Sequence, residues 1–139
     1  MTQRIYPMIA YEDTAAAIDW LSEAFGLSER GQRYVMEDGT IGHAELDVGG
    51  GQVVMLATPT REYQSPARHR QECEAARRWL DNPWVVDGLL VLVDDLDAHH
   101  GRTVEAGANV IRPIEDGPVG RLYTAEDLEG HRWMFGERQ

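Results

Sequence analysis

Apolar and polar positions along the 139-residue chain change period several times, and each change marks an element. Residues 5–11 form an apolar run of strand length. Asp13 then stands as an N-cap before a helix over 14–25, in which Ala17, Trp20, Leu21, Ala24 and Phe25 recur at helical spacing, and Gly26 ends it. Residues 28–36 have a mixed strand pattern, Asp38 and Gly39 make a tight turn, and residues 40–48 alternate. Gly49, Gly50 and Gly51 then turn the chain into a last apolar run over 52–57. The order is βαβββ.

The same order returns later. An apolar strand over 88–93 leads to Asp95 as a cap, a helix from about 96 to 106, and Gly107 as its stop. Strands over 109–114, 121–126 and 131–135 follow, the last two joined through 127–130. Asp13 and Asp95 lie 82 positions apart and Met55 and Met134 lie 79 apart, so the chain carries one unit twice. The expected organisation is a single domain over 1–139, with unit one at 4–57, an inserted helical connection at 58–84 and unit two at 85–136. The insert has no counterpart in the other unit. It predicts one helix over 67–80, with Cys73, Ala76 and Leu80 on one side, and carries five of the thirteen arginines, which either pack across an acidic face or stay solvated.

Composition narrows the function classes. A net charge of −11 repels phosphate backbones and anionic lipid, which argues against nucleic-acid and membrane partners and favours a cationic or neutral small-molecule ligand. Every basic residue other than histidine is arginine, so lysine-based Schiff-base chemistry is excluded. No apolar run reaches membrane-spanning length, no signal-peptide pattern opens the chain, and the single cysteine, Cys73, has no intrachain partner; a cytoplasmic protein is expected. Cys73 reads as a small apolar contact rather than a catalytic thiol.

The phrase Tyr-Thr-Ala-Glu-Asp-Leu-Glu-Gly-His-Arg-Trp-Met-Phe-Gly at 123–136 resembles the vicinal oxygen chelate superfamily, the glyoxalase and bleomycin-resistance proteins. So do Pro-Met-Ile-Ala-Tyr-Glu-Asp at 7–13, the Ala-Ile-Asp-Trp-Leu helix, Gly-His-Ala-Glu-Leu at 42–46 and Val-Asp-Asp-Leu-Asp-Ala at 93–98, in that order. The resemblance implies an α+β fold in which two βαβββ units form a curved mixed sheet around a cavity, and it implies homodimers. It also implies four metal-ligand positions near Tyr6, Met55, Val86 or its neighbour Asp87, and Met134. Hard divalent ions take carboxylate oxygens, and zinc, nickel or iron take imidazole, carboxylate or thiolate. Two thioethers, a phenol and a valine do not make such a site, so no metal and no cofactor are expected.

If Met55 faces the cavity as the family's ligand does, alternation turns Val54 and Leu56 toward the helix. A three-residue glycine loop pairs Val48 with Gln52, which places Glu45 across from Met55; the Asp38-Gly39 turn places Tyr34 across from His43 and Gln32 across from Glu45. In unit two, a loop over 128–130 pairs Thr124 with Met134, so that Leu122, Thr124, Arg132 and Met134 face the cavity while Trp133 and Phe135 face the helix. The expected ligand-binding set is Tyr6, Gln32, Tyr34, His43, Glu45, Met55, Thr124, Arg132 and Met134. Within it, His43 and Glu45 are either an acid/base pair or a hydrogen-bonded pair satisfying the strand face. His69, His99 and His100 are expected on exposed helix surface, and His131 as a structural residue. Three readings remain open. The first is a metal-independent binder that sequesters a cationic or aromatic ligand. The second is a lyase, isomerase or dioxygenase, metal-dependent or using His43 and Glu45. The third is a dimerising scaffold.

Overall fold

A computed structural model describes residues 2–84, 88–118 and 120–137. It is α+β, with four helices and two four-stranded mixed sheets and no closed barrel. The chain divides into two compact units, Met1–Gln64 and Ser65–Gln139. The helical insert groups with the second unit.

The first unit contains β1 (Met8–Ala10), α1 (Thr14–Phe25), β2 (Ser28–Val35), β3 (Ile41–Gly49) and β4 (Gln52–Ala57), in sheet order β1-β4-β3-β2. Helix α1 starts where Asp13 accepts a hydrogen bond from the Ala16 amide at 3.0 Å, and it ends at Gly26, whose φ of 75° is left-handed. Ala17, Ile18, Leu21, Ala24 and Phe25 are buried on its inner side. They pack with the strand positions that alternation directs inward, Ala44 and Leu46 on β3 and Val54 and Leu56 on β4. Thr14 and Thr58 share a buried hydroxyl hydrogen bond of 2.8 Å, which ties the helix start to the chain leaving β4. The turn before β3 is held by Asp38, whose carboxylate accepts from the Thr40 hydroxyl at 2.6 Å, from the Thr40 amide and from Arg61. Those donors hold its pKa down to about 2.

The second unit contains two short helices, α2 (Pro66–Glu72) and α3 (Glu74–Leu80), then β5 (Gly88–Val93), α4 (Leu96–Glu105), β6 (Asn109–Gly117), β7 (Gly120–Glu126) and β8 (Arg132–Glu137). Its sheet order, β5-β8-β7-β6, repeats the first. The repeat extends to backbone angles: Asp95 caps α4 at φ −130° and ψ 95°, and Asp13 caps α1 at φ −127° and ψ 89°. The single helix expected over 67–80 is instead broken at Cys73, which is extended at φ −133° and ψ 118° and serves as C-cap of α2 and N-cap of α3. Cys73 is therefore a joint between helices, not a contact on one helix face.

The core of this unit is aromatic. Tyr123, Trp133 and Phe135 are fully buried, with Tyr123 and Phe135 ring centroids 5.4 Å apart. His99, expected on the outer surface of α4, turns inward: its Nδ1 is 2.7 Å from the Tyr123 hydroxyl and its ring centroid is 4.2 Å from that of Phe135. Thr103, one turn further along the helix, meets the same hydroxyl at 2.8 Å. The inner stripe of α4 is thus partly polar, and it is matched by a phenol rather than by water.

Burial pushes the Tyr123 phenol from 10.0 up to about 12, opposed only in part by the Thr103 hydrogen bond. The folded state therefore keeps a proton that the unfolded chain gives up. The stabilisation is complete below about pH 10 and is lost as pH rises toward about 12. The chain has no lysine, which leaves fewer groups to obscure that window. Denaturant unfolding measured across it is expected to show stability falling for the native chain and a flatter profile for Tyr123→Phe, which starts lower through loss of the His99 and Thr103 hydrogen bonds.

Candidate functional site

One face of the first sheet packs on α1, and the opposite face carries the chemistry. His43, Glu45 and Asp47 alternate with the buried Ala44 and Leu46 along β3, so all three stand on that open face. The His43 Nε2 and Glu45 Oε1 lie 3.2 Å apart, with both side chains half-buried. Such a pair has its geometry set by one strand, since two positions along a strand return to the same face.

The register places the neighbours. Glu45 pairs with Met55, as the expected hairpin requires, although the glycine turn closes differently: Gly49 pairs with Gln52, and an irregularity after Asp47 restores the alignment. Tyr34 pairs with His43. Gln32 does not pair with Glu45. Arg30 does, because the β2 register shifts between Arg30 and Tyr34, where Gly31 takes a left-handed φ of 68°. Across this bulge Arg33 grips Glu29 with two hydrogen bonds of 3.0 and 2.8 Å. Nearby, Gly42 leaves room for the Met36 thioether, whose sulfur would lie 2.7 Å from a Cβ at that position.

The first-strand position beside Met55 is Met8, 77% exposed, and the Met55 amide donates to the Pro7 carbonyl at 2.9 Å. Tyr6, expected there, lies two residues earlier, before β1 begins, and is exposed. In the second unit the position beside Met134 is Leu90; Val86 and Asp87 lie outside the described residues. Thr124 pairs with Met134 as expected, but it is buried, while Met134 is half-buried. Arg132 is also buried, and its guanidinium is spent on structure. It donates to the carbonyls of Leu80, Asn82 and Trp84, the last at 2.7 Å, and pairs with Glu126 at 3.4 Å.

The first sheet therefore brings together His43, Glu45, Tyr34 and Met55 from the expected set, and adds Met8 and Arg30. Thr124, Arg132 and Met134 belong to the second unit. The signal for Arg30 was in the chain: a glycine inside a strand pattern marks a bulge. Of the positions that the resemblance implies, Met55 and Met134 offer thioethers and Tyr6 a phenol, donors that suit a hard or borderline divalent ion poorly. Among the described residues, no three His, Cys, Asp or Glu side chains group closely enough to hold one. No helix among them is long and apolar enough to cross a membrane.

The family model described as Glyoxalase/Bleomycin resistance protein/Dioxygenase superfamily matches residues 5–135. Among solved structures, TioX from Micromonospora sp. ML1 is 32% identical, with a TM-score of 0.69 over 99% of this chain and 97% of that one. TnmS3, an antibiotic binding protein from Streptomyces sp. CB03234, is 17% identical, with a TM-score of 0.65 over 100% of this chain and 99% of that one, a likeness of fold alone. An uncharacterised Mycobacterium tuberculosis H37Rv protein is 28% identical over 94% of this chain and 72% of its own length.

Proposed function

The chain belongs to the Glyoxalase/Bleomycin resistance protein/Dioxygenase superfamily, and from that premise we propose that it is a metal-independent small-molecule-binding protein that sequesters a cationic or aromatic ligand on the open face of its first sheet. One observation carries the reading: a half-buried His43 and Glu45 pair shares a sheet face with Met55, one of the positions where the resemblance places a metal donor, and Met8 pairs with Met55 in turn. Thioethers are soft, unbranched and adaptable, and suit a flat apolar body better than an ion. Glu45 and Asp47 supply negative charge on the same face, and the chain's net charge of −11 adds a long-range attraction for cations. TnmS3, which shares the fold, is an antibiotic binding protein, which supports a small-molecule ligand. The exposed apolar side chains Ile5, Met8 and Val35 support a homodimer, and the lone cysteine supports a cytoplasmic setting.

The test is a titration with an aromatic dication such as propidium, read by thermal shift. At a hundred times the dissociation constant the ligand adds about 2.7 kcal/mol of stability. Glu45→Gln, which keeps the shape and removes the charge, is expected to weaken binding about tenfold. No stabilisation of the native chain, or equal affinity of the variant, counts against the reading.

A second reading is favoured by the 3.2 Å His43–Glu45 contact: a metal-free lyase or isomerase in which His43 moves a proton and Glu45 orients it. Ligand recovered from D2O separates the two. Deuterium on carbon, lost in His43→Gln, marks the enzyme; unexchanged ligand marks the binder.

A further inference from the structure

The second unit holds a cleft of its own. It lies between the helical insert and the β7–β8 hairpin, with a volume of about 390 Å³, within the range of sites that enclose small molecules. Its existence follows from how the insert is fastened. At one end, Ser65 caps α2 and the Ala67 amide donates to the Glu129 carbonyl at 2.9 Å. A Cβ on Gly130 would come within 2.9 Å of the Ala67 nitrogen, so the helix sits directly on a glycine of the hairpin turn. At the other end, Arg132 holds the carbonyls of Leu80, Asn82 and Trp84. Between these anchors the insert bends at Cys73 and bridges the hairpin, leaving the cleft beneath the bend.

The lining is amphipathic. Pro66, Ala67 and Leu80 give an apolar wall, and Arg70 and Arg77 bring guanidinium groups from the two helices. Within residues 66–80 there are four arginines and two glutamates, a net charge of +2 in a chain of −11. The carboxylate in the cleft, Glu126, is already occupied by Asn109 at 2.7 Å and by Arg132. Arg70 is held by a solvent-exposed contact with Asp81 at 2.6 Å, a surface pair that a better-placed anion can displace.

We propose that this cleft is a binding site for a small organic carboxylate with a flat apolar body, the carboxylate held by Arg77 and Arg70 and the body lying against Pro66, Ala67 and Leu80. Two guanidiniums lining a cleft with an apolar wall match that chemistry, because each presents a paired fork of donors to carboxylate oxygens.

The probes are 3-phenylpropionate and its neutral amide, titrated at low salt into the isotopically labelled full chain and followed by backbone amide shifts. The carboxylate is expected to give saturable shifts at Ala67, Gln71 and Gly130, the amide to bind about tenfold more weakly, and Arg77→Gln to lose about tenfold in affinity for the carboxylate. Arg77 is exposed, so the variant folds as the native chain does. Absence of saturation by about 10 mM, equal binding of acid and amide, or an unchanged affinity in Arg77→Gln overturns the proposal.

Discussion

Arg132→Met is expected to lower the stability of the chain by about 3 kcal/mol, because a buried charge that satisfies several backbone acceptors is replaced by a side chain that satisfies none. The guanidinium serves three carbonyls at the end of α3 and just beyond it, and it also neutralises Glu126, whose side chain is nearly as buried. Methionine fills the volume, so little of the loss is a cavity. Arg132→Lys is expected to recover less than half, since a single ammonium cannot reach a fan of three carbonyls and a carboxylate together. The melting temperature is expected to drop by about 10 °C. Hydrogen exchange in the variant accelerates first in α3 and residues 81–84, the segment that the clamp fastens. A drop of less than about 1 kcal/mol would show that solvent satisfies those carbonyls as well as Arg132 does.

Trp133→Ala is expected to cost about 4 kcal/mol. The indole is fully buried, lies parallel to Phe135 at 6.4 Å, and donates its Nε1 hydrogen to Asp127 at 3.1 Å. Asp127 also accepts from the Glu129 and His131 amides, both at 3.0 Å, so the tryptophan braces the carboxylate that shapes the β7–β8 turn. Trp133→Phe keeps most of the apolar contact and removes only the indole donor, and is expected to cost about 1.5 kcal/mol. Chemical denaturation of the two variants separates packing from hydrogen bonding. Near-equal losses would contradict the assignment of most of the cost to burial.

Much of the fold was legible because its punctuation is chemical. Asp13 and Asp95 are aspartates in the same capping geometry, and Gly26 and Gly107 both adopt a positive φ after a helix. The pairings Glu45 with Met55 and Thr124 with Met134 followed from turn position and alternation. The first succeeded even though the loop is one residue shorter than read, because the irregularity beside Gly49 returns the strands to the same alignment.

The failures have physical causes. The Cys73 break has no proline or glycine to announce it; tertiary anchors at both ends of the insert bend an otherwise good helical sequence. The polar neighbours Asp97, His100 and Arg102 disguise the inward turn of His99. Alternation alone turns Arg132 toward the cavity, and it says nothing about the carbonyls of Leu80, Asn82 and Trp84 that meet the guanidinium there. Of the candidate site, the His43 and Glu45 pair was legible from a period of two. Gly31 marks the bulge that brings Arg30 across from Glu45, whereas Met8 needed the parallel β1 register, which a local reading does not supply.

The proposed ligand lies on the open face of the first sheet, over its methionines. The chain has five methionines, few enough for each ε-methyl group to be resolved after selective labelling. Propidium titrated into that sample is predicted to move the Met8 and Met55 signals in saturable fashion, with the effect diminished in Glu45→Gln. Saturable binding that leaves both signals in place would contradict that placement.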